Sequence, residues 1–221
     1  MATNTDPPGA WSLVVPLKPL ARAKSRLGRA AGEAARPRLA LAFAQDTVAA
    51  ALTCARVRDV VVVTDDVAAG RALSALGARI VADAPGAGLN AALAHGARQV
   101  RGRRPAASVA ALNADLPALR AGELARVLDF ASAFPRAFLR DAAGIGTTFL
   151  SAARGAEFRP AFGGPSAARH LATGAVEITL SGLDSVRGDV DTGEDLRAAL
   201  ALGVGAHTAR LMAALAPAGD R

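Results

Sequence analysis

Short, continuous apolar runs alternate along this chain with longer stretches in which alanine, leucine and valine recur at helical spacing. The first run is Trp11-Ser-Leu-Val-Val-Pro-Leu17, whose lack of polar interruption predicts a strand buried on both faces. Residues 1–10, rich in Pro, Thr and Asn, carry no such pattern and are expected to be disordered. Lys18 to Arg29 reads as a basic loop. Pro37 to Leu52 is Ala-rich and amphipathic, with proline in the first turn where its missing N–H is harmless, and predicts the first helix. Val57 to Thr64 is β-branched and predicts a strand. Asp65 and Asp66 follow as caps of a helix that runs to about Leu76, Gly77 stops it, and Arg79 to Asp83 predicts the next strand.

The alternation then repeats, with helices over Leu89 to Val100 and Ala121 to Phe130 and a strand over Ser108 to Asn113 between them. That order predicts an α/β fold: a mixed but mostly parallel sheet covered by helices on both faces. From Arg136 the rhythm loosens. Ala137-Phe-Leu139, Thr147 to Ser151 and Val176 to Leu180 are short strand candidates. Val186 to Val190 and a closing helix from about Thr192 complete the expected elements. Residues 11–215 are expected to form one domain, with a frayed tail over 216–221.

Composition narrows the function classes. With 221 residues, 52% of them hydrophobic, the chain can bury a sizeable core. No segment approaches the roughly 18 apolar residues of a membrane span, and the N-terminus lacks a basic-then-apolar leader, so no membrane association and a cytoplasmic location are expected. A single cysteine, Cys54, excludes an internal disulfide, and with only His95, His170 and His207 beside it a zinc site is not expected. The net charge of +7 calls for an anionic partner. The one tight basic run, Arg101, Arg103 and Arg104 before Pro105, reads as a solvated helix end. With one Trp and no Tyr there is no stacking platform for nucleic acid, so small anions are the expected partners. Of 26 basic residues only Lys18 and Lys24 are lysines, and both sit in the loop after the first strand. A compact ammonium suits a phosphate as a point charge, where a guanidinium would impose a planar fork.

Five segments fall where strands end and loops begin, which is where open α/β sheets bind ligands. Lys18, Arg22, Lys24 and Arg26 put four cations after the first strand, suited to neutralising a triphosphate and its leaving group. Gly86-Ala-Gly88-Leu-Asn90-Ala91 fits a dinucleotide fingerprint, but it follows the third strand and no acidic residue lies about 20 positions on to hold a ribose. Its glycines would let a nucleoside approach backbone, with Asn90 offering amide hydrogen bonds; an ordinary turn fits as well. Asp115, at the end of the Ser108–Asn113 strand, and Asp189 and Asp191, facing the same way if extended, supply hard oxygen ligands for magnesium; each could also cap a helix, Asp191 in particular. Gly144 to Thr148 and Phe162 to His170 bring glycines and hydroxyls to a helix start, where Ser166 and free N–H groups would hold a phosphate or carboxylate. His170 reads as a core or capping histidine before a catalytic one.

In this order the segments resemble the guanylyltransferases of deazaflavin coenzyme F-420 biosynthesis, over nearly the whole chain. The carriers are the opening strand with Lys18 and Ala23-Lys24-Ser-Arg26-Leu, Asn113-Ala-Asp115-Leu-Pro-Ala-Leu, Gly146-Thr147, Phe162-Gly163 with Ser166-Ala-Ala-Arg169-His170, and Asp189-Val-Asp191-Thr. Gly164-Pro165 departs from the more polar residues that the family shows there. The resemblance implies a Rossmann-like nucleotidyltransferase fold of the nucleotide-diphospho-sugar transferase type. Thr147, Gly163 and Ser166 would hold a small phosphorylated acid, and Asp115, Asp189 and Asp191 magnesium. The reaction would join GMP from GTP to the acid and release pyrophosphate, with Lys18, Lys24 and Arg26 stabilising the departing charge. For this Ala- and Arg-heavy chain, which looks actinobacterial, the implied acid is phosphoenolpyruvate, with 2-phospho-L-lactate as the alternative. Rival readings are a cytidylyl- or molybdopterin-type transferase, a nucleotide-sensing module without catalysis, and, last, an NAD oxidoreductase. A homodimer is allowed, and the pattern does not fix the oligomeric state.

Overall fold

β1 (Trp11–Pro16) is apolar on both sides because it lies inside the sheet with helices above and below it. Leu13 and Val15 point into one core, Val14 into the other, and all three are fully buried. The computed structural model describes residues 10–22 and 35–216. Lys24, Arg26 and most of both expected tails lie outside those residues.

Four parallel strands form one half of the sheet: β1, β2 (Val57–Val63), β3 (Arg79–Val81) and β4 (Ser108–Leu112). Each alternates apolar residues between two faces. Val60, Val62, Ala110 and Leu112 meet α1 (Arg36–Leu52), α2 (Val67–Ala75) and α4 (Ala121–Ala131) on one side. Val61, Val63, Val109 and Ala111 meet α3 (Leu89–Arg103) on the other. A Cβ at Gly96 would come within 2.5 Å of Val14 and 2.8 Å of Val63, so only glycine lets α3 lie this close to the strands.

The other half holds β5 (Arg136–Arg140), β6 (Thr147–Ala152) and β7 (Val176–Glu177), giving the order β3-β2-β1-β4-β6-β5-β7. Only β6 runs against its neighbours β4 and β5. Three short helices, α5 (Ser166–Ala172), α6 (Asp184–Arg187) and α7 (Gly193–Leu202), precede the last, α8 (Ala206–Leu215). Among the described residues no helix is long and apolar enough to cross a membrane.

Four expectations need correction. Val186 to Val190 is not extended: Leu183, which precedes α6, and Val186 within it are buried at helical spacing, and residues 188–192 are irregular. The closing helix is two, broken after Leu202, and Thr192 with Asp195 forms the capping box that starts the first of them. The strand expected to Leu180 ends at Glu177. The arginine run is a solvated end only at Arg103, which is exposed. Arg101 donates to the carbonyl oxygens of Ala107, Ala152, Ala153 and Ala156, with burial pulling its pKa down, and Arg104 pairs with Asp59 at 2.7 Å and reaches Ser12. The reversed β6 ends at that edge of the sheet, and its last carbonyls need donors that a guanidinium fork supplies.

Asp46, in the buried face of α1, accepts from the backbone N–H groups of His207 at 2.9 Å and Thr208 at 2.8 Å, and so anchors the first turn of α8. Asp46→Ala would leave both donors unpaired and is expected to cost about 3 kcal/mol. Denaturant unfolding measures the loss, and hydrogen exchange should quicken first in residues 206–215.

Candidate active site

The cavity opens where β1 and β4 end and β6 begins, and has a volume of about 580 Å³. Because β6 is reversed, its first residue lies beside the last residues of its parallel neighbours. Asn113 N–H donates to Thr148 C=O at 3.0 Å, continuing the ladder one step past β4. Leu17 N–H does the same at the end of β1, to Val63 C=O at 2.9 Å, which brings exposed Lys18 to the mouth of the cavity.

Asp115 follows Asn113 and lines the cavity with Asp189 and Asp191. Their segments are joined through the backbone, Val190 N–H donating to Asp115 C=O at 3.0 Å, and Asn113 Nδ2 donates to Asp189 Oδ2 at 3.3 Å. Asp191 is not a helix cap; Thr192 takes that position and Asp191 remains exposed at the cavity. Among the described residues no three His, Cys, Asp or Glu side chains group tightly enough to hold a metal by themselves. The three aspartates share a cavity without converging on one point.

A second part of the lining carries hydroxyls, with Asp141 in the turn before them. Thr147 begins β6, Ser166 begins α5, and both are almost fully buried. Ser166 Oγ lies 3.0 Å from Thr147 Oγ1, which is 3.0 Å from His170 Nδ1. His170, one turn after Ser166, is fully buried, and its Nε2 accepts from Ala161 N–H at 2.9 Å. Burial, and then the charge of Arg169, lower its pKa to about 4, so the ring is neutral near pH 7. It is a core histidine with both nitrogens engaged. Two N–H groups at the start of α5 are already used: Ser166 N–H bonds Gly164 C=O and Ala167 N–H bonds Ile145 C=O. Gly163, at φ +95°, turns the chain beside them.

Lys18, Asp115, Thr147, Gly163, Ser166, Asp189 and Asp191 therefore share one cavity, whereas Gly86, Gly88 and Asn90 are not among the residues that line it. Gly88 precedes the first residue of α3, and the neighbouring Leu89 reaches the cavity. Asn90 holds the backbone of Phe162 with both ends of its amide, donating to its C=O at 3.1 Å and accepting from its N–H at 2.8 Å. Two contributors escape sequence reasoning. Thr47, buried in α1, shares its hydroxyl proton between Phe43 C=O at 2.8 Å and Ala114 C=O at 3.2 Å and accepts from Leu116 N–H at 3.0 Å, holding the backbone on either side of Asp115. Asp141 accepts from Ile145 and Gly146 N–H and closes the turn into Thr147. A hydroxyl on an Ala-rich helix face is the one signal that marked Thr47; nothing marked Asp141.

The model of the guanylyl transferase CofC-like family matches residues 11–216. The chain is 68% identical over 210 residues to a phosphoenolpyruvate guanylyltransferase of Streptomyces coelicolor, covering 95% of this chain and 99% of that one. It is 69% identical over 214 residues to the phosphoenolpyruvate guanylyltransferase of Streptomyces avermitilis, at 96% and 99% coverage. Among solved structures, a candidate nucleotide-diphospho-sugar transferase from Desulfovibrio desulfuricans G20 superimposes with a TM-score of 0.69 at 15% identity, over 93% of this chain and 96% of that one. The fold is thus the Rossmann-like nucleotidyltransferase type.

Because the folded state holds His170 neutral down to about pH 4 while the unfolded chain protonates it near 6.5, the unfolded state binds more protons between those values. Stability is complete above the unfolded value and falls as the pH drops toward 4. The loss from this group approaches about 3 kcal/mol at the lower end. Melting temperatures from pH 7.5 to 4.5 should show a steeper decline for the wild type than for His170→Asn.

Proposed function

The chain belongs to the CofC-like guanylyl transferases, and from that premise we propose that it joins GMP from GTP to phosphoenolpyruvate, forming enolpyruvyl-diphospho-guanosine and releasing pyrophosphate, in coenzyme F-420 biosynthesis. The observation that carries this reading is the one cavity that brings together Lys18, four aspartates (Asp115, Asp141, Asp189 and Asp191) and the Thr147–Ser166 hydroxyl pair.

A divalent cation, magnesium in this reading, fits the donor set. Asp115, Asp189 and Asp191 offer hard carboxylate oxygens, and such an ion commonly takes one or two carboxylates and completes its shell with phosphate oxygens, so a closed triad is not required. Bound there, it would neutralise phosphate charge as a Lewis acid. Lys18, with Lys24 and Arg26 from the same basic loop, would stabilise negative charge on departing pyrophosphate. Thr147, Ser166 and the Gly163 backbone would hold the acid with its phosphate toward the nucleotide. The loop of Gly86 and Gly88 would face the nucleoside, with Asn90 tying it to the Phe162 segment.

In the reaction an oxygen of the acid's phosphate forms a bond to the α-phosphorus of GTP, while the bond from that phosphorus to the oxygen bridging the β-phosphorus breaks. The electron pair leaves with pyrophosphate. A phosphate group is largely ionised near neutral pH, so no general base is needed. Neutral, hydrogen-bonded His170 suits that economy.

Purified protein with magnesium and GTP should release pyrophosphate with phosphoenolpyruvate faster than with 2-phospho-L-lactate, and not without an acid. Release with neither acid would refute the assignment, and a preference for 2-phospho-L-lactate would change the acceptor. Asp189→Asn should lower turnover by about a hundredfold or more in limiting magnesium. Unchanged turnover would remove Asp189 from the metal site.

A further inference from the structure

We propose that His170 is a positioning residue that fixes the direction of the hydrogen bonds along the acid wall, so that the Thr147–Ser166 pair presents a proton, and not a lone pair, to the acid. The inference rests on reading that wall as the acid site.

It follows from counting protons. Ala161 N–H can only donate, and it lies 2.9 Å from His170 Nε2, so Nε2 carries no proton. A neutral imidazole then has its one proton on Nδ1. That proton goes to Thr147 Oγ1 at 3.0 Å, and the hydroxyl must accept it. Thr147 and Ser166 own two hydroxyl protons between them, and one is consumed in the 3.0 Å bond that joins them. Whichever of the two donates in that bond, the other keeps its proton. Both residues line the cavity, so the spare proton is available to a ligand there. With the opposite tautomer, Thr147 would donate to Nδ1 and Ser166 to Thr147. No proton would remain, and lone pairs would face an anion.

The ring is held for this task. Ser166 and His170 stand four residues apart on α5 and so face the start of β6 together. Phe162 packs edge-on against the imidazole, with centroids 5.1 Å apart, and Phe138 lies 5.9 Å away, so apolar neighbours flank the ring. The tautomer is thus set by a backbone amide in the 161–163 segment and reported to the cavity through one hydroxyl.

The test has two arms. Nitrogen NMR of the wild-type protein labelled at imidazole nitrogens should show His170 protonated at Nδ1 and bare at Nε2 at pH 7, with the Nδ1 signal shifting when phosphoenolpyruvate is added. A proton on Nε2, or no shift with bound acid, would overturn the proposal whether or not the protein turns over. In the kinetic arm, Asn places a donor near Nδ1 and Gln an acceptor near Nε2. His170→Asn should keep KM for the acid within about threefold, while His170→Gln and His170→Leu raise it about tenfold, the worth of one hydrogen bond to a charged group, with KM for GTP unchanged. Rescue by Gln and not Asn would assign His170 to tethering the loop at Ala161 and overturn the proposal, as would equal losses for acid and GTP. A wild-type protein that releases no pyrophosphate with any acid would sink the proposed function instead, leaving the NMR arm to decide the tautomer and its response to the acid.

Discussion

The backbone of residues 113–116 stays bonded after β4 has ended, and the cavity depends on it. Asn113 N–H reaches the reversed strand β6, Asp115 C=O accepts from Val190 N–H, and the Thr47 hydroxyl holds Ala114 C=O and Leu116 N–H from α1. Buried backbone donors and acceptors are costly to leave unpaired, so sliding any of these segments would break several bonds at once. Aspartates 74 positions apart are brought to one cavity by main-chain bonds, while their carboxylates face it.

That arrangement also marks where sequence reasoning succeeds. The parallel half of the fold was legible because strands covered on both faces must be apolar throughout, and helices that cover them show a single apolar stripe. Val57–Val63 and Ala121–Ala131 fall within a residue of expectation for that reason. Beyond residue 136 the pattern gave strands but not their direction, since reversal of β6 is decided by its partners and leaves no mark on its own residues. Val186 to Val190 misled because three apolar anchors, Leu183, Val186 and Val190, serve a helix and a loop that pack into different cores. Of the candidate site residues, those at strand ends converge on the cavity, being at the edge where an open sheet binds ligands. Gly86, Gly88 and Asn90 stand out by motif spacing, and spacing does not say that both ends of the Asn90 amide are occupied by Phe162. Thr47 and Asp141 hydrogen-bond to backbone groups, contacts that a one-dimensional pattern does not display.

Charge was the least faithful guide. A net charge of +7 suggests an anion-binding surface, yet many arginines are engaged within the fold. Arg56 and Arg140 pair with Asp129 and Glu177. Arg101, Arg126 and Arg187 cap carbonyl groups at ends of strands and turns. A guanidinium has five donors in a rigid fork, so one side chain can satisfy several carbonyls that no backbone N–H can reach. An ammonium is poorly suited to that task, which gives the scarcity of lysine a physical sense. Lys18 stands at the cavity mouth and holds none of these structural positions.

The two walls of the cavity differ in kind, and the difference bears on how two anions could occupy it together. Aspartates on one side would repel a triphosphate and a phosphorylated acid alike, more strongly as water is excluded and the local dielectric falls. The cations of the basic loop are outnumbered by the charges of the cavity's carboxylates and two polyanions together. Under the proposed reaction the aspartate wall becomes favourable only with a divalent cation between it and the phosphates, so cation and nucleotide should enter as one electrostatic unit. The hydroxyl pair itself adds no charge, while Asp141, in the turn before Thr147, is a further carboxylate of the lining. Thr147 and Ser166 are neutral and buried, and a neutral donor recognises an anion without adding a charge that would compete for the cation or the pyrophosphate. A lysine or arginine there would bind the acid more tightly but would also hold its phosphate back from the α-phosphorus. Neutral donors keep the acid oriented while leaving its nucleophilic oxygen uncommitted.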